Sequence, residues 1–352
     1  MILTRIASPA EYTVCDQFVE QHPEATPYHF TAWLKSIEQA YQHQCFYYIA
    51  EEDGVIVGLV PLVKMKLYFL AGSLCSLPFC DVGGVLANNA EIRDALEAAA
   101  KEFSGKETAY NLSLRGSAIK AEVSNEEKEY PSGSKVRMIL PLPESSEVLL
   151  ASFKPKLRSQ VKKAAKNGVT YSQASDLEAV KEFYNVMQFN MQRLGSPIHA
   201  KQWFESIVTH YGERAQIGLV HYQNKVVGAA IILLSGKTVT VPWASTLVEY
   251  NKYSTNMALY WGLLSFAADN QFESFDFGRS TIGEGTYRFK KQWGAKPVAL
   301  AWQDFDKNGL IEKTTGSSTA SKLKQVVVSF WSKLPPTVAN KLGPMFRRNI
   351  SL

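Results

Sequence analysis

Residue types suited to chemistry are densest between Phe275 and Gly294, where the chain reads Phe-Asp-Phe-Gly-Arg-Ser-Thr-Ile-Gly-Glu-Gly-Thr-Tyr-Arg-Phe-Lys-Lys-Gln-Trp-Gly. A short β-rich run ends in Asp276-Phe277-Gly278. A loop punctuated by Gly283 and Gly285 follows, then cations interleaved with Tyr287, Phe289 and Trp293. Arg279, Arg288, Lys290, Lys291 and Lys296, set against the single acid Glu284, give residues 279–296 a charge of +4. Glycine lets backbone come close to a ligand and offers it exposed N–H groups. The pattern predicts a strand-end site for an anionic ligand.

Two further segments suit anions. A helix is expected to open at Ser254-Thr255-Asn256 and to be apolar nearly all round from Met257 to Phe266, which marks it as buried. Its capping triplet leaves N–H donors near the surface, so it reads either as a phosphate cradle at a helix N-terminus or as a capped core helix. Lys154 to Lys166 carries +6 with no acid. Helical from Leu157, this stretch lines Arg158, Lys162 and Lys166 along one face and Leu157, Val161 and Ala164 along the other, with Gly168 at a cap position. Like charges four residues apart repel, which favours contact with a polyanion.

Other chemistries find no support in the motifs. Asp276-Phe277-Gly278 lacks the catalytic-loop and strand-lysine signatures of a protein kinase. Gly283-Glu284-Gly285-Thr286-Tyr287-Arg288 is half a dinucleotide fingerprint, without its third glycine. The six histidines form no close pair with metal-ligand spacing, so no metal is expected. No Gly-x-Ser-x-Gly elbow is present. Cys15, Cys45, Cys75 and Cys80 fit no zinc spacing and read as reduced structural thiols.

The elements that must position these residues are written twice, at an offset of 170 residues. His29 and Trp33 recur as His199 and Trp203, on helical segments leading into a β-hairpin. Val57-Gly58 recurs as Val227-Gly228, just after the turns Glu52-Asp53-Gly54 and Gln223-Asn224-Lys225. Each copy continues with an apolar strand, a loop, a helix (Ala90 to Phe103; Asn256 to Asp269) and a short strand (Thr108 to Leu114; Ser274 to Gly278). That order implies a mixed sheet with helices on its faces, an α/β (α+β) layer architecture. The proline- and serine-containing passage from Pro141 to Ser146 is the expected boundary. We therefore expect domains at 1–145 and 146–312, the second carrying the site, then a linker and basic helical tail over 313–352. In the tail, Gly316 to Thr319 reads as linker. Leu323, Val326, Val327, Phe330 and Leu334 form a helical stripe that either docks on the body or meets a membrane surface.

With 352 residues, 46% hydrophobic and 20% charged, the composition is that of a globular protein large enough for two domains. The net charge of +5 hides concentrations of positive charge at 154–166, at 279–296 and at 313–352, where it reaches +7 without an acid. The first dozen residues lack a signal-peptide pattern. The longest apolar run, Val226 to Leu234, is far short of the roughly 20 residues that span a bilayer. A cytoplasmic protein, peripheral to the inner membrane face if the tail engages it, is expected.

At this point the motifs identify a relationship. Phe275 to Ser280, Tyr287-x-Phe289-Lys290-Lys291-x-Trp293-Gly294, the Leu157 to Gly168 segment and Ser76 to Gly84 together resemble the FemAB-like N-acyltransferases. Leu334 to Pro344 is similar to the subgroup found with exopolysaccharide and exosortase loci. The resemblance covers nearly the whole chain. It implies two tandem GNAT-like domains and transfer of an acyl or aminoacyl group from an activated carrier to an amine on a cell-envelope or exopolysaccharide precursor. The carrier would be acyl-CoA, an acyl carrier thioester or aminoacyl-tRNA. The second half shows no long heptad-patterned insertion for a helical arm, so tRNA is the less favoured donor. On this reading Asn256, Arg279, Gly283, Gly285 and Lys291 bind donor phosphates, and Lys290 stabilises the oxyanion. Asp276 orients or deprotonates the amine, or instead forms a buried pair with Arg279. Tyr287, Trp293, Asp81 and Trp243 line the acceptor pocket; Arg158, Lys162 and Lys166 touch a polyanion. Two rival readings are a non-catalytic tandem fold docking a polyanion or membrane, and acetylation of a soluble amine from acetyl-CoA.

Overall fold

The computed structural model describes residues 2–65, 72–107, 111–117, 130–306, 308–311, 328–329 and 331–351. In chain order its main elements begin with β1 (Leu3–Ile6), α1 (Tyr12–Gln21), α2 (Thr31–Tyr41), β2 (Gln44–Glu52), β3 (Val55–Met65), β4 (Ser73–Cys75), β5 (Leu86–Ala87), α3 (Ala90–Glu107) and β6 (Leu112–Ser117). There follow β7 (Lys135–Pro141), α4 (Ser146–Ser152), α5 (Pro155–Lys166), β8 (Val169–Ala174), α6 (Leu177–Arg193), α7 (Lys201–Tyr211), β9 (Ala215–Tyr222), β10 (Lys225–Ser235) and β11 (Thr238–Thr246). The last are α8 (Thr255–Asp269), β12 (Ser274–Thr281), α9 (Gly285–Gln292), β13 (Lys296–Asp306), β14 (Gly309–Leu310) and α10 (Pro336–Arg347). The α/β architecture and the doubled order of elements expected from the sequence are both present.

Contacts divide the chain into two units. The first comprises Met1–Lys128, Ala299–Ser318 and Phe346–Leu352; the second comprises Glu129–Val298 and Thr319–Met345. The sequence reading instead placed the boundary at 145/146. Strand β7 precedes that point, yet it pairs antiparallel with β12 and belongs with the second unit. Conversely, Leu300–Phe305 of β13 pair with β6 of the first. Strand pairing, which composition does not encode, decides where these two strands belong.

In unit 1 the strand order is β1-β2-β3-β4-β6-β13, with β5 on β3. Strand β3 is buried along nearly its whole length, as a central strand covered on both faces must be. Helix α3 packs Ile92, Leu96 and Ala100 against Val60, Leu62, Leu74 and Leu112. Gly58 allows that approach, since a Cβ there would stand 2.7 Å from Ile92 Cγ2. The hairpin β2–β3 turns through Asp53 (φ +51°) and Gly54 (φ +78°), the paired left-handed conformation that matches strand twist.

Unit 2 repeats the plan with the order β7-β12-β11-β10-β9-β8. Its hairpin β9–β10 turns through Gln223 (φ +50°) and Asn224 (φ +61°). One face of the sheet, with Val239, Val241, Phe275 and Phe277, packs on Leu157, Val161 and Ala164 of α5 and on Leu259, Leu263 and Leu264 of α8. Helices α6 and α7 cover the opposite face, where Trp203 and Phe204 meet Trp243 edge-on. The repeated histidine and tryptophan are structural in both copies. His29 is buried with Nε2 on Gly84 O at 3.1 Å, and His199 stacks on Trp203 at 5.5 Å.

The linker at 316–319 and the stripe residues Leu323, Val326, Val327 and Phe330 lie outside the described residues. Of the tail, Trp331 is buried, and α10 exposes Val338, Met345 and Phe346. Among the described residues no helix is long and apolar enough to cross a membrane.

Candidate active site

Strands β11 and β12 run parallel, but their ladder joins only Thr238–Thr240 to Ser274–Asp276. Each strand continues beyond that pairing, to Thr246 and to Thr281. A bulge sits at the parting point in both. Along β11, Thr240 opposes Leu233 while Trp243 opposes Ile231, so Val241-Pro242 holds the extra residue. Along β12, Asp276 opposes Ile139 while Arg279 opposes Arg137, so Phe277-Gly278 holds it. Gly278 sits at φ +71°, the left-handed conformation that glycine takes without steric cost. The result is a wedge between two strands, opened just past Thr240 and Asp276.

Asp276 fixes this geometry. It is 2% exposed, and its Oδ1 accepts the Gly278 N–H at 2.8 Å, a side-chain turn closed across the bulge. Its Oδ2 accepts Arg137 Nε at 3.1 Å and Nη2 at 2.7 Å. The buried partner is therefore Arg137 on β7, in place of the expected Arg279. Register explains the reach: Asp276 opposes Ile139, so Arg137, two residues along β7, lies diagonally across the ladder on the same face. The Asp276 carboxylate holds its surroundings in place through both oxygens.

Lys290 reaches the same bulge from the last turn of α9. Its Nζ donates to Gly278 O at 3.2 Å and to Arg279 O at 2.8 Å, and the side chain is buried. Lys290 thus meets the backbone of the bulge that Asp276 and Arg137 hold, through the carbonyls of Gly278 and Arg279. Behind them Tyr260 of α8 stacks on Phe277 at 5.6 Å. Burial pushes the Tyr260 phenol up to about 12, so it stays protonated at neutral pH. Thr240, Ser245 and Ser280 have buried hydroxyl oxygens with no hydrogen-bond partner among the described residues.

The remaining sequence candidates are spread more widely. Gly283, Gly285 and Lys291 are exposed and Tyr287 half-buried, on the loop and helix leading away from β12; Arg288 Nη1 closes that loop on Gly283 O at 2.9 Å. Asn256 is half-buried in the first turn of α8. The expected side-chain cap there is absent: Ser254 is left-handed at φ +66° and makes no capping bond. Trp293 is fully buried among Phe153, Phe289 and Tyr260, and Trp243 is buried against Trp203 and Phe204, so both stand as core aromatics. Asp81 lies in unit 1, where its carbonyl accepts Trp302 Nε1 at 2.8 Å.

Arg158, Lys162 and Lys166 line one face of α5 as the spacing required. With Pro155, Ser159 and Lys163 they border a hollow of about 410 Å³. Among the described residues no cluster of three or more His, Cys, Asp or Glu side chains is arranged to hold a metal ion.

Comparison with known proteins agrees with this fold. Residues 151–291 match the family model described as an acetyltransferase (GNAT) domain. A lipid II:glycine glycyltransferase from Staphylococcus saprophyticus is 22% identical over 367 residues, covering 79% of this chain and 87% of the relative. The protein of that name from Staphylococcus aureus is 28% identical over 233 residues, covering 60% of this chain and 53% of its own length. The chain thus spans about half the length of that relative. Among solved structures, FemX superposes with a TM-score of 0.69 over 93% of this chain and 100% of its own, at 18% identity. A tandem GNAT protein from the clavulanic acid pathway gives 0.53 over 89% and 100%, at 12% identity. Residues 151–291 thus match a GNAT domain, and the chain is similar in sequence to lipid II:glycine glycyltransferases and in fold to FemX.

Proposed function

We propose that this chain is a FemAB-like acyltransferase that moves an acyl or aminoacyl group from an activated carrier to an amine of a cell-envelope precursor, at the β11–β12 wedge of unit 2. The observation that carries the reading is the double bulge after Thr240 and Asp276, with Lys290 anchored to one of its walls. Amide formation needs a neutral amine held against an activated carbonyl, and stabilisation of the oxyanion that forms between them. Strands that part leave backbone groups facing the gap, where an acyl group can lie extended. Lys290 supplies positive charge beside it. As the C–N bond forms, the amine sheds a proton and the carrier's ester or thioester bond breaks with its electron pair on the carrier.

In this mechanism Asp276 is a positioning residue. Its oxygens are committed to Arg137 and to the Gly278 N–H, so it holds the bulge to which Lys290 is anchored. Arg279, Gly283, Gly285, Lys291 and Asn256 remain the proposed contacts for the donor's phosphates, and Tyr287 for the acceptor. The relatives' names, which specify glycyl transfer to lipid II, support an aminoacyl group as cargo and a lipid-linked amine as acceptor. They favour a cell-wall precursor over an exopolysaccharide one and raise the standing of aminoacyl-tRNA as donor. The basic hollow on α5 fits the phosphates of either carrier. It also suits the rival reading of a silent polyanion-binding module. Mass spectrometry of ligands captured with the purified chain tests the carrier: acylated phosphopantetheine supports a thioester, and co-purifying tRNA supports aminoacyl transfer. A chain that carries neither and transfers nothing to a lipid-linked amine from either donor refutes the enzyme reading.

A further inference from the structure

The place in unit 1 that corresponds to the wedge is filled by the chain itself. Strands β4 and β6 pair in parallel at Leu74 with Leu112 and Cys75 with Ser113, the counterpart of the short β11–β12 ladder. Just beyond lies Arg115, 3% exposed. Its Nη1 donates to Leu77 O and Cys80 O, each at 3.1 Å, and to Ser351 O at 3.0 Å; its Nη2 donates to Ser351 Oγ at 2.8 Å. The Trp302 ring stands 5.2 Å from the guanidinium. Phe79, held at φ +69°, donates its N–H to the same Ser351 O at 2.7 Å.

A second anchor secures the segment just before Ser351. His43 Nε2 donates to Arg348 O at 2.8 Å, and Arg348 Nη2 donates to Tyr41 O at 2.8 Å. Three residues apart, Arg348 and Ser351 are thus tied down by backbone carbonyls as well as side chains. Side-chain identity matters less at such a site than a turn that delivers a backbone carbonyl and a hydroxyl at the right step.

The cost of burying a guanidinium explains why something must sit there. A buried cation is tolerated only when its donors meet acceptors. Without Ser351, Nη2 has no acceptor among the described residues, and Nε already has none. A non-glycine residue at positive φ, as Phe79 is, is strained and persists where surroundings enforce it, often at ligand clamps.

We infer that unit 1 holds a peptide-binding cradle centred on Arg115, which takes a polypeptide segment leaving a turn and presenting a backbone carbonyl and a hydroxyl, and that Arg348–Ser351 is its resident occupant. The inference is independent of the transfer reaction proposed for unit 2. An occupant tethered in cis competes at an effective concentration on the order of millimolar, so the cradle rejects the same peptide in trans until the segment is removed.

Fluorescence anisotropy with a labelled peptide of residues 345–352 tests this on the full chain, on a chain lacking residues 350–352, and on that shorter chain with Arg115→Lys. The expected result is saturable binding to the shorter chain, at least tenfold weaker binding to the full chain, and at least a tenfold loss on Arg115→Lys. Equal binding to all three, or none to a shorter chain that still melts cooperatively, overturns the inference. Amide exchange at Phe79 in the full chain is a second readout. Arg115→Lys should accelerate it at least tenfold, and unchanged exchange overturns the inference even if the shorter chain does not fold.

Discussion

Arg137→Met should be among the most damaging single changes at the candidate site, although Arg137 touches no reacting atom in the proposed mechanism. Two charge-assisted bonds, at 3.1 and 2.7 Å, end on one oxygen of a carboxylate that is 2% exposed. Removing the guanidinium leaves that carboxylate with only the Gly278 N–H among the described residues. Breaking a buried pair from one side costs about 3–5 kcal/mol. For a unit of 150–250 residues each kcal/mol moves the melting temperature by roughly 2–4 °C, so the fall should be roughly 6–20 °C. The double variant Arg137→Met/Asp276→Leu removes the stranded charge and should regain at least half the loss, because apolar groups replace a buried pair at little cost. Thermal and urea unfolding followed by circular dichroism measures all members of the cycle. A single variant within about 1 kcal/mol of the parent, or two effects that add within about 0.5 kcal/mol, would refute the claim that this pair holds the bulge.

Gly278→Ala places a Cβ at φ +71° and should cost roughly 1–2 kcal/mol, with a larger proportional loss of transfer because Lys290 is anchored to the Gly278 carbonyl; a variant as active and stable as the parent would show the bulge to be dispensable. Replacing Arg158 and Lys162 together by Glu should weaken carrier binding at least tenfold at low salt and flatten its salt dependence, with melting unchanged within about 0.5 kcal/mol; unaltered binding in a titration removes α5 from the site. The thiols give a pH prediction. Burial pushes Cys45 and Cys80 well above the ordinary value of 9.0 and Cys15 up to about 12. All three should resist iodoacetamide in the native protein at pH 8. Because the folded thiols keep protons that unfolded ones lose, stability should be level below about pH 9 and fall as pH rises past it; reaction of the native thiols at pH 8, or stability rising above pH 9, contradicts their burial.

The fold was largely legible because its signals are local and repeated. The turns at Asp53-Gly54 and Gln223-Asn224, the long apolar strands Leu59 to Val63 and Ala229 to Leu234, and the paired His-Trp helices each announce themselves within a few residues. The candidate site was legible only in part. Asp276, Gly278 and Lys290 stood out by type and spacing, but their geometry depends on the register of β7, a strand far away in the chain. That is why Arg137 was missed and Arg279 taken as the partner. The alternation in Lys135-Val136-Arg137-Met138-Ile139-Leu140 marks a strand with Arg137 opposite its apolar face, yet nothing in the sequence says which carboxylate it will meet. Trp293 and Trp243 misled for a related reason. An aromatic near a cluster of cations suits a pocket wall, and only packing shows that it turns into the core. Thr240 carried no signal beyond its place in a β-rich run; its meaning comes from the ladder ending there.

The central claim, that unit 2 joins an acyl group to an amine at the wedge beside Lys290, is tested most directly by transfer itself. The purified chain would be incubated with glycyl-tRNA or acyl-CoA and an amine-bearing lipid-linked cell-wall precursor, and the precursor weighed by mass spectrometry. The parent should add one acyl or aminoacyl mass. Lys290→Met, confirmed as folded by its melting transition, should transfer at least about a hundredfold more slowly, the scale of losing one oxyanion donor. Full activity in the folded Lys290→Met variant would contradict the account.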